Sequence, residues 1–330
     1  MKRSISSKNI LITGGAGYIG SILSSTLKKR KNVKILVIDD LSSGKKKYLN
    51  CDVFEKFNLC NKEKLFNFFK RHKISEVIHL AGYTNLRDKN YKKFDKNNFT
   101  ATKFLVENII TFKVKKLIFA STASVYGNPR KVPLNENSLL KPISFYGKSK
   151  LKAENYIIRR SKNKFKSVIF RFFNASGADL NFKSGEDKMP PEHLIPIILK
   201  SYFSKKLFSL HNKFDTPDGT GIRDYIHVMD LAEGHIKTLE FLMKNENEII
   251  NLNLGTGIGT SVLELIETFK LVNKVNIPYE FVPRRKGDIA EVIADNTYAK
   301  KLLNWAPKKN INDMCKDGFN WQLKNPNGFN

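Results

Sequence analysis

Asn9-Ile-Leu-Ile-Thr-Gly-Gly-Ala-Gly-Tyr-Ile-Gly20 decides the fold of this chain. An apolar run leads into glycines at 14, 17 and 20, and Ser21-Ile-Leu-Ser-Ser-Thr-Leu27 then continues with helical spacing. The order reads as strand, tight turn and helix. A helix N-terminus offers unpaired N–H groups and partial positive charge, so it suits a pyrophosphate, and glycine lets that phosphate approach the main chain. A second apolar run, Lys34-Ile-Leu-Val-Ile-Asp39, ends on an acid about twenty residues after Gly20. A carboxylate there can hold both hydroxyls of an adenosine ribose. The pattern implies a bound dinucleotide. Asp39 favours NAD over NADP because it repels a 2′-phosphate, and Lys45, Lys46 and Lys47 nearby soften that preference.

Working outward, apolar runs alternate with helical patterns. Strands are expected at Ile10–Thr13, Ile35–Asp39, Val77–Leu80, Leu117–Ser121 and Val168–Phe172, with helices near 18–30, 62–71, 97–112 and 144–161. That alternation specifies an α/β chain: a doubly wound, Rossmann-type parallel sheet with helices on both faces. The pattern changes after Asn174. Residues 175–227 are rich in Pro, Gly and Asp, as in Asp215-Thr-Pro-Asp-Gly-Thr-Gly221, before helices return at 228–243, 260–271 and 296–304. The expected division is a dinucleotide domain over 1–174, with 225–255 returning to it through a strand at Ile250–Leu254. A smaller C-terminal α/β substrate lobe takes 175–330.

The composition bounds the partners. The chain has 330 residues, 41% of them hydrophobic, enough for a substantial core. No run approaches the roughly 18 apolar residues of a membrane span. Ile10 to Ile12 is too short for a signal-peptide core, so the cytosol is the expected home. Cys51, Cys60 and Cys315 form neither a C-x-x-C pair nor a metal-ligand spacing, and their odd count suits a reducing compartment. The net charge of +27 comes from lysines spread along the chain, with no basic arm and no nucleic-acid motif. We read it as compositional, a diffuse field that helps to attract a diphosphate.

Leu117-Ile-Phe-Ala-Ser-Thr-Ala-Ser-Val-Tyr-Gly127 runs off the end of an expected strand, where open parallel sheets bind ligands. Ser121, Thr122 and Ser124 present hydroxyls there. Phe145-Tyr-Gly-Lys-Ser-Lys150 opens the next helix and puts Tyr146 and Lys150 on one face. Tyr202 and Lys206 repeat the spacing without a hydroxyl-bearing strand end before them and read as a surface pair. A lysine ammonium about 6 Å from a phenol contributes ~3 kcal/mol at an effective dielectric of ~20, about two pKa units. A nicotinium ring nearby adds more in the same direction, so the expectation is a Tyr146 poised near neutrality as general base, with Lys150 also holding the nicotinamide ribose and Thr122 orienting a substrate hydroxyl.

Together these residues resemble the extended short-chain dehydrogenase/reductase family, and most closely its UDP-glucose 4-epimerase branch. The resemblance runs from about Lys8 to Phe329. Its most specific runs are Thr13–Gly20, Ser124-Val-Tyr-Gly127, Tyr146–Lys150, Arg171-Phe-Phe-Asn-Ala-Ser-Gly-Ala178, Asp218-Gly-Thr-Gly-Ile-Arg-Asp-Tyr-Ile-His-Val-Met-Asp230 and Pro283-Arg-Arg-Lys-Gly-Asp288. The resemblance implies an NAD site at Gly14, Gly17, Tyr18, Ile19, Gly20, Asp39, Asp40, Asn58, Leu59, Leu80, Ala81, Gly82, Asn98, Ser121, Tyr146, Lys150 and Phe172. It implies chemistry by Thr122, Tyr146 and Lys150. Beside Thr122 and Tyr146, it implies a UDP-sugar contacted by Asn174, His193, Leu194, Arg223, Arg285, Asp288 and Val292. It further implies a homodimer through the helices near 97–112 and 144–161, and a hydride that leaves and returns to carbon 4 of the sugar.

Three departures from the family pattern stand out. The family's Val-Gly-Glu-Ser run is replaced by Tyr83-Thr-Asn-Leu-Arg-Asp88, about two residues shorter before Asn97-Asn98. Asn58 stands where an acid usually meets adenine. Val292 is small where some relatives are bulky, which opens the reading of an N-acetylated sugar. A 4,6-dehydratase shares the Tyr-Lys pair but needs acids beside the hydroxyl, whereas Thr122 is followed by Ala123 and Ser124. A uronate epimerase, an NAD-sensing module and a nucleic-acid binder complete the alternatives.

Overall fold

The computed structural model describes residues 8–326 apart from 86–87, 182, 188–189, 245–248 and 286. In chain order the first elements are β1 (Lys8–Thr13), α1 (Tyr18–Leu27), β2 (Val33–Asp39), β3 (Val53–Lys56), α2 (Lys62–Arg71) and β4 (Glu76–His79). A short helix, α3 (Tyr91–Phe94), passes through a π turn at Asp95–Thr100 into α4 (Ala101–Thr111). Next come β5 (Lys116–Thr122), α5 (Phe145–Ser161) and β6 (Lys166–Phe172). The middle of the chain holds β7 (Asn174–Ser176), α6 (Leu194–Ser204), β8 (Phe208–Asn212), β9 (Ile222–His227), α7 (Val228–Lys244) and β10 (Ile249–Leu254). It closes with β11 (Gly259–Ser261), α8 (Val262–Asn273), β12 (Tyr279–Pro283), β13 (Glu291–Val292), α9 (Thr297–Leu303) and α10 (Ile311–Lys324).

The described chain forms two compact units. One holds residues up to Gly127, Leu140–Arg171 and His235–Leu252; the other holds Asn128–Leu139, Phe172–Gly234 and the residues from Asn253 onward. The second unit thus takes residues 128–139 from inside the range that the sequence reading gave to the first.

In the first unit, the expected doubly wound sheet has seven strands in the order β10-β6-β5-β4-β1-β2-β3. β1 pairs in parallel with β2 and β4, β2 with β3, and β4 with β5. The strand order reverses at the β1/β4 boundary, where Thr13 lies in register with His79. Open α/β sheets bind their ligands at the carboxyl ends of such a junction. Leu11, Leu36, Val77 and Phe119 pack with Leu65 and Phe68 of α2, Leu105 and Ile109 of α4, and Ile157 of α5. Each such side chain contributes about 1.5–3 kcal/mol by leaving water.

The second unit is built on β9. It has β11 antiparallel on one edge, β13 parallel on the other, and β7 also pairing with it. β8 and β12 make a separate parallel pair. Ile195 of α6, Leu265 and Phe269 of α8, and Phe319 of α10 form its core. The Asp218–Asp230 run spends much of its polarity on this scaffold. The buried carboxylate of Asp224 accepts from the main-chain N–H of Thr256, Gly257 and Ala294 at 2.8, 2.8 and 3.1 Å. Tyr202, expected at the surface, packs edge-on against Phe319.

Candidate active site

β1 delivers the glycine turn to the switch point. Gly14 has φ +74° and its α-carbon faces the Ala81 main chain, where a Cβ would stand 2.6 Å from Ala81 N. Gly17 differs. It caps α1 with an extended φ of −78° and no side-chain cap, and no acid lies in the first helical turn. A Cβ at Gly17 would meet only the Gly14 carbonyl, at an ordinary 3.4 Å. Neither packing nor backbone geometry therefore requires glycine there, and the free face beside the α1 N-terminus fits an anion. Tyr18 and Ile19 are half-buried and Gly20 is buried.

Asp39 closes β2 and accepts from the N–H of Ala16 at 3.0 Å and of Leu41 at 2.8 Å. Burial raises its pKa against those bonds. Asn58 donates to Asp40 at 2.7 Å, and its carbonyl oxygen accepts from Cys60 N–H at 2.9 Å. Leu59 is part of the hydrophobic core, Leu80 donates its N–H to Thr13 at 3.0 Å, and Phe172 ends β6.

The chemical residues come from β5 and α5. Ser144 caps α5 by accepting from Gly147 N–H at 3.0 Å. A Cβ on Gly147 would stand 2.5 Å from the Ser124 carbonyl, so glycine lets the helix close onto the turn after β5. This contact brings the Tyr146 phenol beside the Thr122 side chain, which pulls its pKa down. Lys150, one turn on, is 3% exposed and donates to the Ala120 carbonyl at 2.9 Å. Asn98, buried in the π turn, donates to Ser149 at 2.9 Å and accepts from Tyr83 N–H at 2.6 Å, and Ser149 in turn donates to the Tyr146 carbonyl at 2.7 Å. It locks the loop after β4 to the helix carrying Tyr146. A π turn at such a point is a frequent mark of a functional site. In the departing 83–88 loop, Tyr83 donates to Asp88 at 2.6 Å and Lys93 reaches the Tyr83 hydroxyl at 3.0 Å. Leu86 and Arg87 of that loop, and Lys286 of the Pro283–Asp288 run, lie outside the described residues.

The electrostatics bear on one expectation. Burial pushes the Tyr146 phenol up to about 12, with only a downward pull from Thr122 against it, so the phenol alone is neutral at pH 7. Burial also lowers Lys150 to about 8, opposed by Glu154. The ammonium that was expected to poise the phenol is turned to the Ala120 carbonyl instead. His79 lies between Thr13 at 2.7 Å and Thr102 at 2.8 Å. Burial, and then Lys150, drive it down to about 3, so it is neutral. Lys150 is therefore the cation beside this ring. Ser121 gives its hydroxyl proton to the Glu154 carboxylate.

The second unit holds the residues expected at the diphosphate. A cleft of about 500 Å³ is lined by Asn128, Arg284, Arg285, Gly287, Asp288 and Ala290. Arg285 N–H donates to the Asp288 carboxylate at 3.3 Å, and Asp288 N–H returns a bond to the Arg285 carbonyl at 3.2 Å. The guanidinium of Arg223 donates to the carbonyls of Ile222, Ala290 and Ile289 at 2.7, 3.0 and 2.7 Å, tying β9 to the cleft wall. Burial lowers its pKa, against Tyr225 and Asp288. His193 caps the start of α6 and meets Glu186 at 2.5 Å, while Leu194 opens that helix. Asn174 starts β7, and Val292 on β13 lies in register with Arg223.

Residues 10–253 match the model of the NAD dependent epimerase/dehydratase family. The chain belongs to that family. It is 38% identical to the UDP-glucose 4-epimerase of Bacillus subtilis (strain 168), over 97% of this chain and 98% of that protein. The UDP-glucose 4-epimerase of Bifidobacterium longum, solved with NAD+ and UDP, superposes with a TM-score of 0.91 at 33% identity, over 98% of this chain and 100% of that one. The enzyme of Stenotrophomonas maltophila, solved with NAD and a formylated UDP-arabinopyranose, gives 0.92 at 32% identity, over 96% and 98%.

Two cleft residues of this epimerase/dehydratase family member escaped the sequence reading. Arg284 stands beside the chosen Arg285 and lies over the Phe214 ring at 5.7 Å, so the doubled arginine was the missed signal. Asn128 directly follows Ser124-Val-Tyr-Gly127, but nothing in a lone asparagine marks it.

Proposed function

We propose that the protein is an NAD-dependent 4-epimerase of UDP-sugars that interconverts UDP-glucose and UDP-galactose. The placing of Tyr146 beside Thr122, with buried Lys150 one turn on, carries this reading, and the near-full-length similarity to UDP-glucose 4-epimerases supports it. The α1 N-terminus and Gly17 hold the pyrophosphate of NAD, and Asp39 its adenosine ribose. NAD supplies reversible hydride acceptance at the sugar carbon. With NAD bound, Tyr146 would take the proton of the C4 hydroxyl as its phenolate and return it as the phenol, with Thr122 directing that hydroxyl. Lys150 supplies fixed positive charge that, with the positive nicotinamide ring, would hold Tyr146 as that phenolate. Arg285 and Arg223, with Asn174, His193, Leu194 and Asp288, serve the UDP group. Paired charge-assisted bonds from guanidinium suit a diphosphate.

Incubation with a panel of UDP-sugars, followed by NMR of the C4 configuration, tests the reading. UDP-glucose and UDP-galactose are expected to interconvert. No inversion of any UDP-sugar overturns it. Val292 leaves room for UDP-N-acetylglucosamine, and zero turnover of that sugar removes the second reading.

We further infer a homodimer through α4 and α5. The aromatic side chains there are only partly covered: Lys152 lies over Phe99 at 4.0 Å and Lys62 over Phe104 at 4.6 Å. Light scattering should return twice 37.8 kDa, and the single-chain mass contradicts it. Among the described residues no helix is long and apolar enough to cross a membrane. The cytosol is the location we infer, in keeping with three cysteines that are all free.

A further inference from the structure

Arg171 and Tyr126 belong to two of the most specific sequence runs, yet the chemistry above uses neither. They meet at one buried carboxylate. Glu154 lies on α5 one turn beyond Lys150 and shares its face. Its Oε2 accepts from Arg171 Nη2 at 2.9 Å, and its Oε1 from Arg171 Nε at 3.4 Å and from the Ser121 hydroxyl. Arg171 also donates to the Tyr126 hydroxyl at 3.1 Å, with its guanidinium 5.1 Å from the centre of that ring. Arg171 and Glu154 are 2% and 0% exposed. Desolvation makes such a pair a poor source of stability, and an apolar pair of equal volume is often as good or better. Its position beside the Tyr-Lys helix calls for another reason.

We propose that Glu154 is a positioning residue for the epimerase reaction: clamped by Arg171 and Ser121, it is the counter-charge that keeps Lys150 an ammonium directed at Ala120. This rests on the role given to Lys150 under the proposed function. Tyr146 and Glu154 flank Lys150 from α5, and His79 approaches from β4. From β5 come the Ala120 carbonyl and the Phe119 ring at 4.9 Å. Asn98 of the π turn approaches beside Gly82, and Arg171 of β6 stands behind Glu154. Tyr146 and His79 are neutral at pH 7. Among these groups Glu154 is the anion: it pairs with Arg171 and stands one helical turn from Lys150 on the same face. Ser121 and Arg171 fix which way the carboxylate points, so the end of β5, α5 and β6 together define the ammonium's place.

The test follows the Lys150 resonance in 13C-lysine-labelled protein, assigned with Lys150→Met, alongside the pH profile of turnover. Glu154→Gln should move the Lys150 titration down by about one pH unit or more. It should move the alkaline limb of kcat by the same amount. Glu154→Asp, which keeps the charge, should restore both positions even if kcat falls. An unmoved titration in folded Glu154→Gln overturns the proposal; a merely structural glutamate would lower melting temperature or kcat without moving either midpoint. Should Glu154→Gln fail to fold, the Glu154→Met/Arg171→Met double variant removes both buried charges. Its Lys150 should still titrate lower than in the unaltered protein, and an unchanged midpoint contradicts the role. The two readings separate cleanly. A shifted Lys150 resonance without any epimerisation sinks the assigned reaction, and epimerisation with an unshifted resonance sinks the counter-charge.

Discussion

Lys150 donates to the main-chain carbonyl of Ala120 at 2.9 Å, which anchors its ammonium to the end of the strand that carries Thr122. The ammonium is therefore a fixed feature of the sheet end and not a mobile partner of the phenol. Tyr146, half-buried, has its pKa raised to about 12 by desolvation and only partly offset by Thr122. The phenol by itself is neutral at pH 7, and on the proposed function it becomes the proton acceptor once the positive nicotinamide ring lies beside it.

Tyr146→Phe keeps the ring and its packing and removes the proton carrier. Turnover should fall about 10²- to 10⁴-fold, the usual worth of a positioned acid–base group. Bound NAD, measured by absorbance after denaturation, should stay near its original content. Near-normal turnover in this variant would show that another group moves the proton.

The pH profile has a worked sign. Burial depresses Lys150 to about 8, so the ammonium is complete well below that value and lost as pH rises through it. Turnover should decline above about pH 8, two units below where an ordinary lysine titrates. His79, driven down to about 3 by burial, stays neutral throughout and contributes no limb near pH 6 to 7. Constant kcat up to pH 10 contradicts the assignment.

Gly17 and Gly20 separate cofactor sterics from protein sterics. A Cβ at Gly20 would stand 2.2 Å from the Gly14 carbonyl, whereas one at Gly17 meets nothing closer than 3.4 Å. Gly20→Ala should lose stability of about 1–3 kcal/mol by overpacking. Gly17→Ala should melt within a degree or two of the unaltered protein and bind NAD at least tenfold more weakly in calorimetry. Equal NAD affinity in Gly17→Ala removes the pyrophosphate from that turn.

Much of this was legible because the signals are local. Asn9–Gly20 states strand, turn and helix within one window, and Asp39 and the Tyr146/Lys150 spacing each need only a short stretch. What was missed is non-local or weakly patterned. β3 (Val53–Lys56) is four residues at a sheet edge with no alternation to mark it. α10 has a capping box at Asn310 and Asp313 but carries Gly318 in its middle, which blunts its helical signal. The raised pKa of the Tyr146 phenol by itself was not legible because sequence spacing gives a neighbour but not burial. The Ser121–Glu154–Arg171 cluster joins three elements whose separation in sequence hides it.

Arg285 lines the second-unit cleft and is exposed there. Arg285→Ala removes charge-assisted bonds worth about 1.5–3 kcal/mol, so UDP affinity should fall roughly ten- to a hundredfold. NAD content should not change. UDP binding that survives intact in isothermal titration would take the diphosphate away from this cleft.

The most direct measurement uses UDP-galactose carrying deuterium at C4, incubated with the purified protein in ordinary water. UDP-glucose should form with the deuterium still on C4, since the hydrogen leaves and returns within one closed site. Formation of UDP-glucose with protium at C4, or no UDP-glucose at all, would contradict the proposed reaction.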